Sequence, residues 1–162
     1  MSAKCFVDAN ILVYAHDQAA GTKCEKAQRL VEALWNAANG VLSTQVLQEL
    51  YIALRRKVAT PLSAAEAEQV LRDYFAWEIV VNTHESAIRA ISLETRYKIS
   101  FWDGLILQAA EKAGAAYVYS EDLAHGQFYG SVQVMNSVHS LVQSQTLTTA
   151  SFARWSWRCR CK

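Results

Sequence analysis

Lys4-Cys5-Phe6-Val7-Asp8-Ala9-Asn10-Ile11-Leu12-Val13-Tyr14 opens with an apolar run that ends in an acid and then changes its period. Residues 4–8 predict a short buried strand, and from Ile11 onward the apolar spacing becomes helical. The same alternation continues along the chain. Thr22 with Glu25 has capping-box spacing ahead of an amphipathic run in which Ala27, Leu30, Val31, Leu34 and Trp35 share a face, and the run stops near Asn39-Gly40. A second strand is expected over 40–43. Ser43 or Thr44 then caps a helix whose buried stripe is Val46, Leu47, Leu50, Tyr51 and Leu54 and whose end carries Arg55-Arg56-Lys57.

Pro61 breaks the chain, and Ser63 with Glu66 caps a helix expected to reach about Phe75. A third strand is expected over 78–81, helices over 84–97 and 101–113 with Gly114 as the stop, a fourth strand over 116–120 and a fifth over 131–135. Strands alternating with helices predict an α/β fold with a parallel sheet covered on both faces. No internal repeat or linker divides the chain. Residues 1–136 form one predicted domain, and 137–162 are read as an irregular C-terminal tail.

A chain of 162 residues with 52% hydrophobic and 19% charged residues has the make-up of a globular protein with its own core. The net charge of +1 conceals an asymmetry. Residues 1–122 hold all 15 acids against 12 of the 16 basic residues, and residues 123–162 hold the other four, Arg154, Arg158, Arg160 and Lys162. No broad basic surface is legible, so a nucleic-acid partner has to be argued from a site. Cys5, Cys24, Cys159 and Cys161 fit no zinc spacing, which favours a reduced, cytoplasmic chain. No apolar run has the length of a membrane span.

Three of the five aspartates fall where a parallel sheet builds its site: Asp8 ends the first strand, Asp122 follows the fourth, and Asp103 opens a helix. Glu49 borders the buried stripe of its own helix. Each acid also has a plain structural reading. Asp103 lies at capping-box distance from Ser100, residues 8–10 can form a capped turn, Glu121-Asp122 can be a solvated pair, and Glu49 can be a surface acid. Taken together, they point to a cation. Two carboxylates about 4 Å apart repel by about 4 kcal/mol at an effective dielectric near 20, a cost that protons or a metal must offset. An all-oxygen donor set suits Mg²⁺ or Mn²⁺ over zinc, and such a site favours phosphodiester hydrolysis.

With these residues in view, the sequence resembles the PIN-domain family, and within it the VapC-type toxin ribonucleases, over about residues 4–136. The resemblance rests on Phe6-Val7-Asp8-Ala9-Asn10-Ile11-Leu12-Val13-Tyr14, Gln48-Glu49-Leu50, Ser100-Phe101-Trp102-Asp103-Gly104-Leu105-Ile106, Ser120-Glu121-Asp122-Leu123 and His125-Gly126-Gln127, in that order. It implies a three-layer α/β/α fold with sheet order 3-2-1-4-5 and Mg²⁺- or Mn²⁺-dependent endoribonuclease activity leaving a 5′-phosphate and a 3′-hydroxyl. It also implies the toxin role in a type II toxin-antitoxin system, with a homodimer blocked by a small cognate antitoxin.

By the same resemblance Asp8, Glu49, Asp103 and Asp122 form the catalytic and metal-binding set. Asp8 and Asp103 are the first choice for direct ligands, and Asn10 and Ser120 orient them. His84 and His125 are read as local hydrogen-bonding groups, with an RNA contact open for His125. Trp35 and Trp77 are read as core, and Trp102 as core or cleft wall. Past Asn136 the sequence runs beyond the usual end of the family.

Competing readings are weaker. An aspartyl phosphatase wants an acid two residues after Asp8, where Asn10 stands. A receiver domain wants an acid pair after the first strand and a Lys after the last. A PIN-shaped binding protein without turnover stays open, because fold alone does not establish function. So does a PIN nuclease of RNA processing.

Overall fold

The computed structural model describes residues 2–136, and the tail expected over 137–162 lies outside them. Strands β1 (Cys5–Val7), β2 (Gly40–Ser43), β3 (Glu78–Val80), β4 (Tyr117–Tyr119), β5 (Phe128–Tyr129) and β6 (Val132–Met135) form one sheet in the order β3-β2-β1-β4-β6-β5. All neighbours are parallel except the edge pair β5 and β6. The predicted fifth strand is β6, so the expected order holds for the parallel strands. The short β5 adds an antiparallel edge that the sequence reading did not include. It is only two residues long and is reached through Gly130 at φ 62°, too brief to leave a periodic signal.

Among the described residues six α-helices connect the strands: α1 (Ala9–His16), α2 (Thr22–Ala37), α3 (Thr44–Arg56), α4 (Ala64–Asp73), α5 (His84–Tyr97) and α6 (Phe101–Ala113). Helices α1 to α4 pack on one another, and α5 packs on α6. Every residue of β1 and of β2 is buried, as a parallel sheet covered on both faces requires. Among the described residues no helix is long and apolar enough to cross a membrane.

Most helix ends carry the caps that the sequence predicts. Ser43 Oγ accepts from the Val46 amide at 3.3 Å, and Ser63 with Glu66 forms the reciprocal capping box. One end does not. Thr22 is already the first residue of α2, and the cap position belongs to Gly21 at φ 59°, with no side-chain capping bond. The chain leaves the 3-10 turn Gln18–Ala20 through this glycine, so Thr22 enters the helix too late to cap it. The helix after β1 also starts two residues earlier than its apolar spacing suggests, because Asp8 itself caps it.

Trp77 is buried and Trp35 packs against it with ring centroids 5.4 Å apart, as expected for core. Trp102 is 61% exposed, which removes the core alternative for it.

Helices α5 and α6 meet at Gly104, next to Asp103. A Cβ there would lie 2.6 Å from the backbone oxygen of Ala90, and backbone cannot yield as a side chain can. Gly104→Ala is therefore expected to destabilise the fold by about 1–3 kcal/mol, measured by urea unfolding. Wild-type stability in that variant would disprove the close packing.

Candidate active site

Asp8 follows β1 at the carboxyl end of the central strands. Its amide donates to the Tyr119 carbonyl at 2.9 Å, continuing the β1–β4 pairing by one residue and fixing where the side chain starts. Asp8 is 4% exposed. Oδ1 accepts from the Ala9 amide at 2.6 Å and Oδ2 from the Ser120 hydroxyl at 2.8 Å. Ser120 is fully buried at the end of β4, and its Oγ accepts in turn from the Asp122 amide at 3.2 Å. Asn10, in the first turn of α1, donates from Nδ2 to Asp122 Oδ2 at 3.1 Å. Asp8, Asn10, Ser120 and Asp122 are thus linked in one network.

Glu49 joins them electrostatically. Burial pushes the Asp8 carboxyl up to about 7, its two hydrogen bonds pull it down, and the charges of Glu49 and Asp122 raise it further. Glu49 is itself exposed on α3 and is held by Gln45 one turn earlier, whose Nε2 donates to Glu49 Oε1 at 2.9 Å.

Asp103 stands in the first turn of α6 and is engaged locally. Its amide donates to Ser100 Oγ at 3.0 Å, and Ser100 Oγ donates to its Oδ2 at 2.7 Å. Its charge is felt at the Tyr129 hydroxyl, on the β5 side. The plain capping reading of Asp103 is therefore realised, and the structure links Asp8, Glu49 and Asp122 more closely to one another than to Asp103.

Two neighbours of the site are not marked by any motif in the sequence. Gln45 is 5% exposed, and its four-residue spacing to Glu49 is the available signal for their contact. Lys23 pairs with Glu121 at 3.0 Å, donates to the Tyr14 hydroxyl at 3.3 Å and lies 4.6 Å over the Tyr14 ring, tying α2 to the loop that carries Asp122. Nothing in the sequence indicates that 98-residue contact. The histidines follow their local reading: His84 pairs with Glu85 at 2.7 Å, and His125 Nδ1 accepts from the Asn136 amide at 3.0 Å.

The residues present suit a hard divalent cation. All donors are oxygens, and the buried Asp8 carboxylate is costly to ionise without a positive charge beside it. Asn10 Oδ1 is buried with no hydrogen-bond partner among the described residues. Among those residues, no three His, Cys, Asp or Glu side chains stand close enough together to enclose an ion as they are.

The profile of the PIN-domain family matches residues 5–129, spanning β1 to the edge strand β5 and including all four acids. This chain belongs to the PIN-domain family. Two solved structures share the PIN fold with it. VapC20 of Mycobacterium tuberculosis, a toxin that cleaves the sarcin-ricin loop, is 22% identical with a TM-score of 0.59, over 74% of this chain and 90% of the other. A chain of a toxin-antitoxin complex from Klebsiella pneumoniae is 18% identical with a TM-score of 0.57, over 75% of this chain and 91% of the other. At these identities the likeness is one of fold. No curated protein matches the sequence.

The raised Asp8 pKa carries a stability signature. Unfolded, Asp8 titrates near its ordinary value of 3.8, and folded near 7. The folded chain keeps a proton that the unfolded chain releases. The contribution of Asp8 to stability is thus fully present below about pH 4 and is lost as the pH rises through 7. In metal-free buffer at pH 8, Asp8→Asn should be more stable to urea than wild type, by less than the ~4 kcal/mol that a full three-unit shift carries. The gap should narrow toward pH 5. An Asp8→Asn variant no more stable than wild type at pH 8 would contradict the burial cost.

Proposed function

We propose that this PIN domain is a metal-dependent endoribonuclease and the toxin of a type II toxin-antitoxin pair. The observation that carries the nuclease reading is the buried Asp8 carboxylate, hydrogen-bonded to Ser120 and lying in the field of Glu49 and Asp122 at the carboxyl end of a parallel sheet. The toxin reading is supported by the toxin structures that share the fold.

In this reading Asp8 and Asp103 hold Mg²⁺ or Mn²⁺ directly, while Glu49 and Asp122 act through water or in placing a second ion. When bound, a divalent cation lowers the pKa of a water near the phosphorus and stabilises charge on the leaving oxygen. The side chains do the positioning. Ser120 fixes one oxygen of Asp8 and leaves the other to the start of α1, so the carboxylate cannot rotate freely. Asn10 turns Asp122 toward the same crevice, with its own carbonyl oxygen left for a further donor. Gln45 limits the swing of Glu49. Asp103 would join them from the first turn of α6, where Ser100 Oγ now holds its Oδ2 at 2.7 Å.

The products are a 5′-phosphate and a 3′-hydroxyl, the protein acts as a homodimer in the cytoplasm, and a cognate antitoxin protein covers the crevice. A PIN-fold binding protein without turnover is the competing reading, and it would not explain why a carboxylate with no ion pair among the described residues is kept buried at a cost in stability.

Purified protein free of antitoxin is expected to cut a mixed structured RNA with Mg²⁺ or Mn²⁺ and not with EDTA. Asp8→Asn and Asp103→Asn should reduce cleavage to background while keeping the fold, by circular dichroism. Ser120→Ala should lose roughly 10–100-fold in metal affinity or activity, the usual cost of removing a group that orients a ligand. Wild type that is folded, loaded with metal and no more active than these variants on RNA would leave the binding-protein reading in its place.

A further inference from the structure

Trp102 stands apart from the other tryptophans of the described residues. Trp35 packs against the core and Trp77 is buried, whereas Trp102 is 61% exposed in the first turn of α6. A tryptophan can bury about 150–250 Å², so on the order of 100 Å² of indole is left to water here. Exposure alone is ordinary for a single apolar side chain. The surroundings of this one are not ordinary.

Trp102 directly precedes Asp103, and consecutive Cα atoms are about 3.8 Å apart. Side chains of a helix lean toward its N-terminus, so from the second position of α6 the indole extends toward the helix start. There it meets the Phe101 ring with centroids 5.6 Å apart and an interplanar angle of 72°. That edge-to-face contact steadies the indole and leaves at least one broad face free of other rings among the described residues.

The exposed residues just before it are polar, and two of them are basic. Arg96 lies in the last turn of α5, Lys98 caps its end, and Ser100 caps α6. Two cations, an exposed indole and the acid Asp103 therefore follow one another within the eight residues 96–103. The centre of a protein–protein contact is depleted of charge. Aromatic rings beside cations are instead how single-stranded nucleic acid is held, with bases stacked on the rings and phosphates near the charges.

We propose that Trp102 is a stacking platform for a base of single-stranded RNA, beside the nucleotide whose phosphate is cut. The position of that base rests on the nuclease reading, in which Asp103 holds the metal, whereas the stacking itself does not require turnover. Every base has a π-face, so the platform holds the strand without selecting its sequence.

The full chain carrying Asp8→Asn, which stops cutting in the nuclease reading, would be titrated with Mg²⁺ present and followed by fluorescence anisotropy. Two labelled strands of equal length serve as probes, a single-stranded RNA of mixed sequence and the same backbone without bases. Adding Trp102→Ala should weaken binding of the RNA about tenfold, the scale of one lost base stack, and leave the abasic strand unchanged. Trp102→Phe should retain most of the affinity. The salt dependence of binding should stay the same in Trp102→Ala, because no charge is lost, and its urea midpoint should match that of the parent, because the indole is mostly in water.

The platform is overturned if Trp102→Ala binds the RNA as its parent does, weakens both strands alike, or changes the oligomeric mass on gel filtration, which would assign the indole to a contact between copies. A parent that binds neither strand overturns it as well. Cleavage with Asp8 in place judges the nuclease reading separately. A chain that cuts no RNA yet loses base-dependent binding in Trp102→Ala keeps the platform and loses the nuclease, and one that cuts RNA but binds it equally well without the indole does the reverse.

Discussion

The Asp8 carboxylate is kept out of water at the end of a fully buried strand, with two hydrogen bonds and two like charges around it. Ionising it there is unfavourable, and the surrounding structure is organised to tolerate that. Its backbone is fixed by pairing with β4, one oxygen sits at the positive end of α1, and the other is met by a hydroxyl that has no solvent to compete with it. A surface acid would have none of these constraints.

The parallel topology explains why these groups meet. Residues 8 and 120 are 112 apart in sequence, yet β1 and β4 are neighbours in register, so the residue after each strand falls at the same edge. Ser43 ends β2 at that edge and starts α3, which carries Gln45 and Glu49 one turn in. The site is thus built from strand ends and helix beginnings, where backbone direction is fixed and side chains remain free to turn. Asp103 is placed by a different device, the close packing of α5 on α6 at Gly104, and has its own local partner in Ser100.

The two ends of the sheet have opposite characters. The carboxyl end gathers acids and an unpartnered amide oxygen, a setting for a cation. The other end packs Trp35 and Trp77 together over Gly40, an apolar setting without acids of the site. Each end holds a polar side-chain atom buried without a hydrogen-bond partner among the described residues, which is uncommon in a folded chain.

By itself the sequence determined the elements and the family. Apolar periodicity and turn residues placed the strands and helices to within a few residues, since burial and capping are written locally, and the order of four short acidic motifs identified the PIN domain. Local signals failed where the chain itself had other options: Thr22 enters α2 behind a glycine cap, and the two-residue β5 exists only because β6 offers an edge. Only the tertiary structure decided which acids interact. It brought Asp8, Glu49 and Asp122 into one field, left Asp103 with Ser100, and tied Lys23 to Glu121 across 98 residues. Those relations depend on strand register and helix packing, which no window of sequence contains.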